Sequence, residues 1–162
     1  MTVAEIFEKM VAFSEGNLHD INHFMKVWAY AKTIGELEKL DPGTQYILEV
    51  AAILHDIACP LCRKKYGNTA GKLQELEGAP LAKSFLSDSG MTEMQIERVA
   101  YLVGHHHTYS NVDGMDYRIL LEADYLVNAD EAGYSRDNIE NFLEKHVKTE
   151  SGRRLLTGIY LL

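Results

Sequence analysis

His55 and Asp56 stand side by side at the end of the apolar run Val50-Ala51-Ala52-Ile53-Leu54. A helix of that composition buries a hydrophobic face, yet it ends in an imidazole and a carboxylate. Burying both without partners costs several kcal/mol. A divalent ion removes the conflict, because neutral imidazole nitrogen and carboxylate oxygen both bind it directly. His23 on an apolar stretch upstream and Asp124 on one downstream offer two further donors of the same kinds. A mixed imidazole and carboxylate set suits iron, manganese, nickel, cobalt or zinc. Four protein ligands would leave positions open on an octahedral ion for water and a further ligand. Taken singly, Asp124 also reads as a core carboxylate paired with an arginine, and His23 as an imidazole bonded to a carbonyl. Taken together, in this order and in apolar helices, the four residues point to a metal site between helices.

The elements that must carry these residues read as helices. Thr2-Val3-Ala4-Glu5 has capping-box spacing, followed by Ile6, Met10, Val11 and Phe13 on roughly one face, and Ser14-Glu15-Gly16-Asn17 ends the helix. Asp20 is placed to cap a second helix, whose apolar set Phe24, Val27, Trp28, Ala31, Ile34 and Leu37 recurs at three and four. His23 lies at the edge of that face. Asp41-Pro42-Gly43 is a turn, and a third helix is predicted over about 44–56. Residues 59–72 are polar, basic and glycine-containing, which predicts a surface loop. Helices are predicted over about 79–88, from Thr92 (a second capping box) into His105-His106-His107, over about 115–129 around Asp124, and over about 136–161 with a break near Thr149. No stretch alternates with period two, so strands are not expected. The prediction is an all-α, single-domain helical bundle over residues 1–162.

At 162 residues the chain can bury one real core. A net charge of −8 argues against stable nucleic-acid binding through the overall field, but a metal and a few cations can reverse the sign locally for a small phosphorylated substrate. No apolar run approaches the length of about 18 residues needed for a membrane span. Met1-Thr2-Val3-Ala4-Glu5 lacks the layout of a signal peptide, so a cytoplasmic location is expected. Cys59 and Cys62 form a Cys-x-x-Cys pair. Redox and zinc readings need a βαβ context or a second pair, so two reduced thiols in a turn beside the core are expected.

The order His…His-Asp…Asp resembles the HD superfamily of metal-dependent phosphohydrolases. His19-Asp20-Ile21-Asn22-His23-Phe24-Met25-Lys26-Val27 resembles the opening motif of small bacterial members. Ala51-Ala52-Ile53-Leu54-His55-Asp56-Ile57 is similar to the eponymous segment, and Glu122-Ala123-Asp124-Tyr125-Leu126 to the closing one. The resemblance implies an HD-type bundle with His23, His55, Asp56 and Asp124 as metal ligands. Members with two metals usually carry a further histidine shortly before a Gly-Ala pair. Here Leu73-Gln74-Glu75-Leu76-Glu77 precedes Gly78-Ala79 without one. His105, His106 and His107 fall where some relatives bind a second metal or the substrate. Successive helical residues point about 100° apart, so one or two of them can reach a common centre.

The implied activity is hydrolysis of a phosphate ester by metal-activated water. Asp56 would orient the water, Lys26 would share the face of His23 and meet the phosphate, and His106 or a neighbour would protonate the leaving group. Arg63, Lys64, Lys65 and Lys72 are further cations, though a basic run in a loop is more often solvated surface. A nucleotide is the first expectation for the substrate and a phosphorylated metabolite the second. The alternative is a non-catalytic sensor that binds metal and nucleotide. Trp28, Tyr30, Tyr109, Tyr117 and Tyr160 could serve an oligomer surface or the core.

Overall fold

Short polar side chains set most of the helix starts. Thr2 and Glu5 close a reciprocal capping box that opens α1 (Val3–Phe13). Asn17 caps α2 (Leu18–Leu37), and Asp41 caps α3 (Pro42–Leu54), with Pro42 in its first turn. α4 (Cys59–Tyr66) and α5 (Gly71–Leu86) follow, and Thr92 with Gln95 boxes the start of α6 (Glu93–Val103). α7 (Met115–Glu131) leads to α8 (Arg136–Lys145), capped by Ser135, and α9 (Glu150–Tyr160), capped by Thr149. The computed structural model describes all 162 residues, with nine helices and no strand. The predicted all-α bundle is what the chain forms.

α3 is the central element. Every residue from Leu48 to Leu54 is buried, and α1, α2, α6 and α7 pack around it. A helix apolar on all sides belongs in a core. Pro42–Tyr66 is long and apolar enough by composition to cross a membrane, a stretch that a count of uninterrupted apolar residues passes over, but 67% of its most apolar window is buried inside the protein. The one carboxylate in this run of α3, Glu49, accepts hydrogen bonds from Trp28 Nε1 and Gln45 Nε2, both at 2.9 Å. α2 also packs along α7, so α2, α3 and α7 meet as a triangle. α5 and α6 form a hairpin against it, made close by Gly78, where an added Cβ would lie 2.8 Å from Val103 Cγ1.

The structure corrects three expectations. Residues 59–72 are not a continuous surface loop, because residues 59–66 form α4 and α5 begins at Gly71. α4 turns Cys59 and Cys62, three residues apart, into the interior, while Arg63, Lys64 and Lys65 sit in its last turn, where cations suit the helix dipole. Gly67, at φ 73°, closes it in the left-handed conformation. The cysteines are free and buried, as expected, but on a helix rather than a turn. Asn17 rather than Asp20 caps α2, which leaves the Asp20 carboxylate free to pair elsewhere. Of the aromatic residues open to either an oligomer surface or the core, Tyr117 lies in the core, and its hydroxyl donates to the His105 and Thr108 carbonyls.

A buried carboxylate ties the start of α9 to α7, and at the other end of α9 the Tyr160 hydroxyl donates to the Leu126 carbonyl. Glu122 Oε1 accepts from Lys148 N at 2.7 Å and Thr149 N at 3.1 Å, and Oε2 accepts from the Thr149 hydroxyl at 2.5 Å. Gly152 lies against this clasp, and a Cβ there would sit 2.3 Å from Glu122 Oε2 and 2.6 Å from Thr149 Oγ1. Overpacking of this kind costs about 1–3 kcal/mol. Gly152→Ala is therefore expected to lower Tm by roughly 2–12 °C, measured by thermal unfolding. An unchanged Tm would show that the clasp yields freely.

Candidate metal centre

Four side chains from three helices converge below a cavity at one end of the α2, α3, α7 triangle. α2 supplies His23 from its buried face. α3 ends at His55, its C-terminal cap, and the turn that follows carries Asp56. α7 supplies Asp124 from an almost wholly buried stretch. His23 Nε2 lies 3.1 Å from His55 Nε2, 3.3 Å from Asp56 Oδ2 and 3.3 Å from Asp124 Oδ1. His55 Nε2 lies 3.5 Å from Asp56 Oδ2 and 3.4 Å from Asp124 Oδ1. His23, His55 and Asp124 are nearly sealed, whereas the Asp56 side chain is 26% exposed and faces the cavity.

The outer nitrogen of each ring fixes what the inner one can do. His23 Nδ1 meets Glu131 Oε2 at 2.8 Å, and His55 Nδ1 meets the Ala52 carbonyl at 2.7 Å. Both acceptors require a proton on Nδ1, so in the neutral rings Nε2 presents a lone pair. Two lone pairs and two carboxylates then face one another at hydrogen-bond distance with no donor among them. Asn128 Nδ2 donates to Asp124 Oδ1 at 3.0 Å but does not enter the gap between the rings. Such a set repels itself unless a cation joins it. Donors bound at about 2.1 Å to one ion stand about 3 Å apart in neighbouring positions, close to the separations here, so the set fits a divalent ion.

The electrostatics agree. Burial pulls the His23 pKa down, yet Asp124, Asp56 and Glu131 outweigh it and raise it to about 9. Burial works against His55 as well, and Asp56 and Asp124 raise it on balance. Burial alone would push both carboxyls up, but His55 and His106 around Asp56, and His23 and His55 around Asp124, hold them below the usual carboxylate range. The pocket draws positive charge, as a proton or as a metal.

His106 extends the cluster. Its Nδ1 donates to the Val103 carbonyl at 2.8 Å, and its Nε2 points at Asp56 Oδ1 from 3.3 Å. That Nε2 is sealed from solvent and has no hydrogen-bond partner. A buried lone pair without a donor is costly, so it too suits an ion. Asp56, His106 and His107 form a second group able to hold one. Burial and the neighbouring His106 bring His107 down to about 4, so it is neutral near pH 7. His105 turns away, stacked on Tyr101 with its Nδ1 bonded to the Tyr101 carbonyl. Gln74, in the segment that lacks a histidine, donates through Nε2 to the Thr69 carbonyl at 2.7 Å. That aims its Oε1 at His107 Nε2, 3.1 Å away. Gly71 makes room for the ring, since a Cβ there would lie 2.8 Å from His107 Cγ.

Two expected roles meet contrary geometry. Lys26 shares the face of His23 but does not line the cavity, because its ammonium pairs with Glu131 Oε1 at 2.8 Å. His106 lies behind Asp56 and does not line the cavity either. Its position suits a ligand better than a proton donor to a leaving group. Asn128, Glu131 and Gln74 were not anticipated. The first two follow Asp124 by four and seven residues, the spacing of one helical face, and that periodicity is the signal that would have found them.

A family model described as HD domain matches residues 20–143. The crystal structure of a predicted HD superfamily hydrolase from an uncultured Thermotogales bacterium superposes with a TM-score of 0.73 at 24% sequence identity, over 98% of this chain and 84% of that one. At that identity the likeness is one of fold. No curated protein matches the chain.

Partners that orient a metal-binding imidazole typically contribute 10- to 100-fold in affinity. Glu131→Gln is thus expected to weaken binding of Mn²⁺ by roughly that factor, read by calorimetric titration. Equal affinity in the variant would mean that the contact with His23 Nδ1 orients nothing.

Proposed function

The chain belongs to the HD-domain family, and from that premise we propose that it is a metal-dependent phosphohydrolase acting on a small phosphorylated metabolite. The observation that carries this reading is the convergence of His23, His55, Asp56, Asp124 and the unpartnered His106 Nε2 on a space that contains no hydrogen-bond donor. His23, His55 and Asp56 would hold a divalent transition metal, with Asp124, whose Oδ1 lies 3.3 Å and 3.4 Å from the two rings, as the fourth ligand, and Asp56 with His106 and His107 would hold a second if one binds. Bound there, such an ion supplies Lewis acidity and an acidified water.

The chain's own groups do the rest. Glu131 and the Ala52 and Val103 carbonyls hold the three rings with Nδ1 outward, so that each inner nitrogen offers its lone pair to an ion, which displaces the proton that the carboxylates would otherwise draw onto His23. Asn128 fixes one oxygen of Asp124. Asp56 is the solvent-facing member of the four and is placed to orient a water entering from the cavity. Its carboxylate stays ionised across the neutral range, held down against burial by His55 and His106.

Cavity size and lining speak to the substrate. The space above the cluster measures about 190 Å³, and only one of its 12 lining residues is hydrophobic. Pockets for drug-sized ligands run from about 300 Å³ upward and are mostly apolar. No Phe, Tyr or Trp lines this one, so nothing offers a nucleobase an aromatic face. This favours a phosphoryl group with a small polar remainder over a nucleotide, the reverse of the order suggested by resemblance alone. The burial of His106 favours a second reading, a sensor that binds metal and anion without turnover, because it withdraws the expected proton donor from the cavity.

Phosphate release from sugar phosphates and nucleotides, with Mn²⁺, Co²⁺, Ni²⁺, Fe²⁺ or Mg²⁺, tests these readings. The expected outcome is metal-dependent release by the wild type, faster from sugar phosphates, with Asp56→Ala losing turnover and bound metal together. Full metal content in Asp56→Ala would remove that residue from the ligand set. Full metal occupancy in the wild type without release from any ester would move the assignment to the sensor.

A further inference from the structure

The cavity is short of positive charge. Four carboxylates line it, those of Asp20, Asp56, Asp124 and Glu131, and Arg63 is its one permanent cation. The other basic residues nearby are engaged or point elsewhere. Lys26 pairs with Glu131, Lys65 pairs with Glu77, and Lys64 and Lys72 are exposed away from the lining. A phosphate monoester entering this space meets four carboxylates and neutral polar groups, and only the metal centre and Arg63 offer it positive charge.

Arg63 is also the cation whose geometry is fixed. It lies one turn after Cys59 on α4, and its guanidinium grips the Asp20 carboxylate in a fork, with Nη1 to Oδ2 at 2.8 Å and Nη2 to Oδ1 at 2.6 Å. Asp20 stands on α2 three residues before His23, so the pair bridges α2 and α4 at the rim. The Asp20 side chain is 13% exposed and that of Arg63 42%. The grip uses two of the five guanidinium N–H groups and leaves three. Planar forks of this kind match phosphate oxygens, and a lysine would not reproduce the match. As a stability device the pair has little worth, since exposed ion pairs contribute about 0–1 kcal/mol.

We infer that Arg63 is the residue that binds the substrate's phosphate oxygens, with Asp20 as its positioning residue. The inference rests on the phosphohydrolase reading and deepens it. The site selects an anion through one arginine fork beside the metal, and this fork is what admits phosphate to an otherwise acidic cavity.

The test is calorimetric binding of inorganic phosphate to the Mn²⁺-loaded protein, comparing wild type with Arg63→Gln, Arg63→Lys and Asp20→Asn at equal metal content. Loss of a charge-assisted hydrogen bond predicts roughly 10- to 100-fold weaker phosphate binding in Arg63→Gln. Arg63→Lys should recover only part of that loss, and Asp20→Asn should weaken binding less than Arg63→Gln, with Tm and bound Mn²⁺ unchanged in all three. A purely structural pair would shift Tm and leave phosphate affinity alone. Phosphate binding as tight in Arg63→Gln as in wild type overturns the role of Arg63 and leaves the phosphohydrolase reading standing. Failure of metal-loaded wild type to bind phosphate at all overturns both.

Discussion

The contact between His23 Nε2 and His55 Nε2, 3.1 Å apart with both outer nitrogens committed to acceptors, is the constraint around which the bundle is arranged. Neutral rings in these tautomers present lone pair to lone pair, and Asp56 and Asp124 add negative charge to the same space. Nothing in the fold relieves the repulsion from inside. Helices that would pack more comfortably around apolar residues instead carry a buried polar knot, which is stable only when a proton or a metal ion is shared among its members.

That knot explains the surrounding order. The second half of α3, Leu48 to Leu54, is buried on every side, and it brings His55 and the following turn into the interior. α2 and α7 pack against it and against each other, which places His23 and Asp124 opposite one another. Glu131 then serves two neighbours at once, His23 through Oε2 and Lys26 through Oε1. A lysine that looks poised for substrate thereby becomes a support for an imidazole. The same economy appears at Glu122, two residues before Asp124, which faces away from the centre and ties α9 to α7.

Centre and rim divide the work by burial. The inner nitrogens of His55 and His106 are sealed, and their environment is fixed by backbone carbonyls that cannot move without unwinding a helix end. The rim is built from longer side chains, Arg63, Gln74 and Glu131, that reach in from three helices. A sealed polar floor under a polar rim whose side chains are held by their own partners is an arrangement for recognising a small charged group rather than a large apolar one.

The sequence by itself determined the all-helical class, most of the helix starts and the four residues that meet at the centre. These properties are local or periodic. A capping box at Thr2 or Thr92 acts within one turn, and the apolar spacing around His23 and Asp124 states which face is buried. It misread residues 59–72, because a short helix with cysteines three apart and a basic last turn has the composition of a loop. Only the tertiary structure decided which of His105, His106 and His107 points inward, that Glu131 rather than substrate meets Lys26, and that Arg63 alone among the basic residues reaches the cavity. Those outcomes depend on how far each helix is rotated and shifted against its neighbours. That register is set by packing across α2, α3 and α7, not by the residues on either side in the chain.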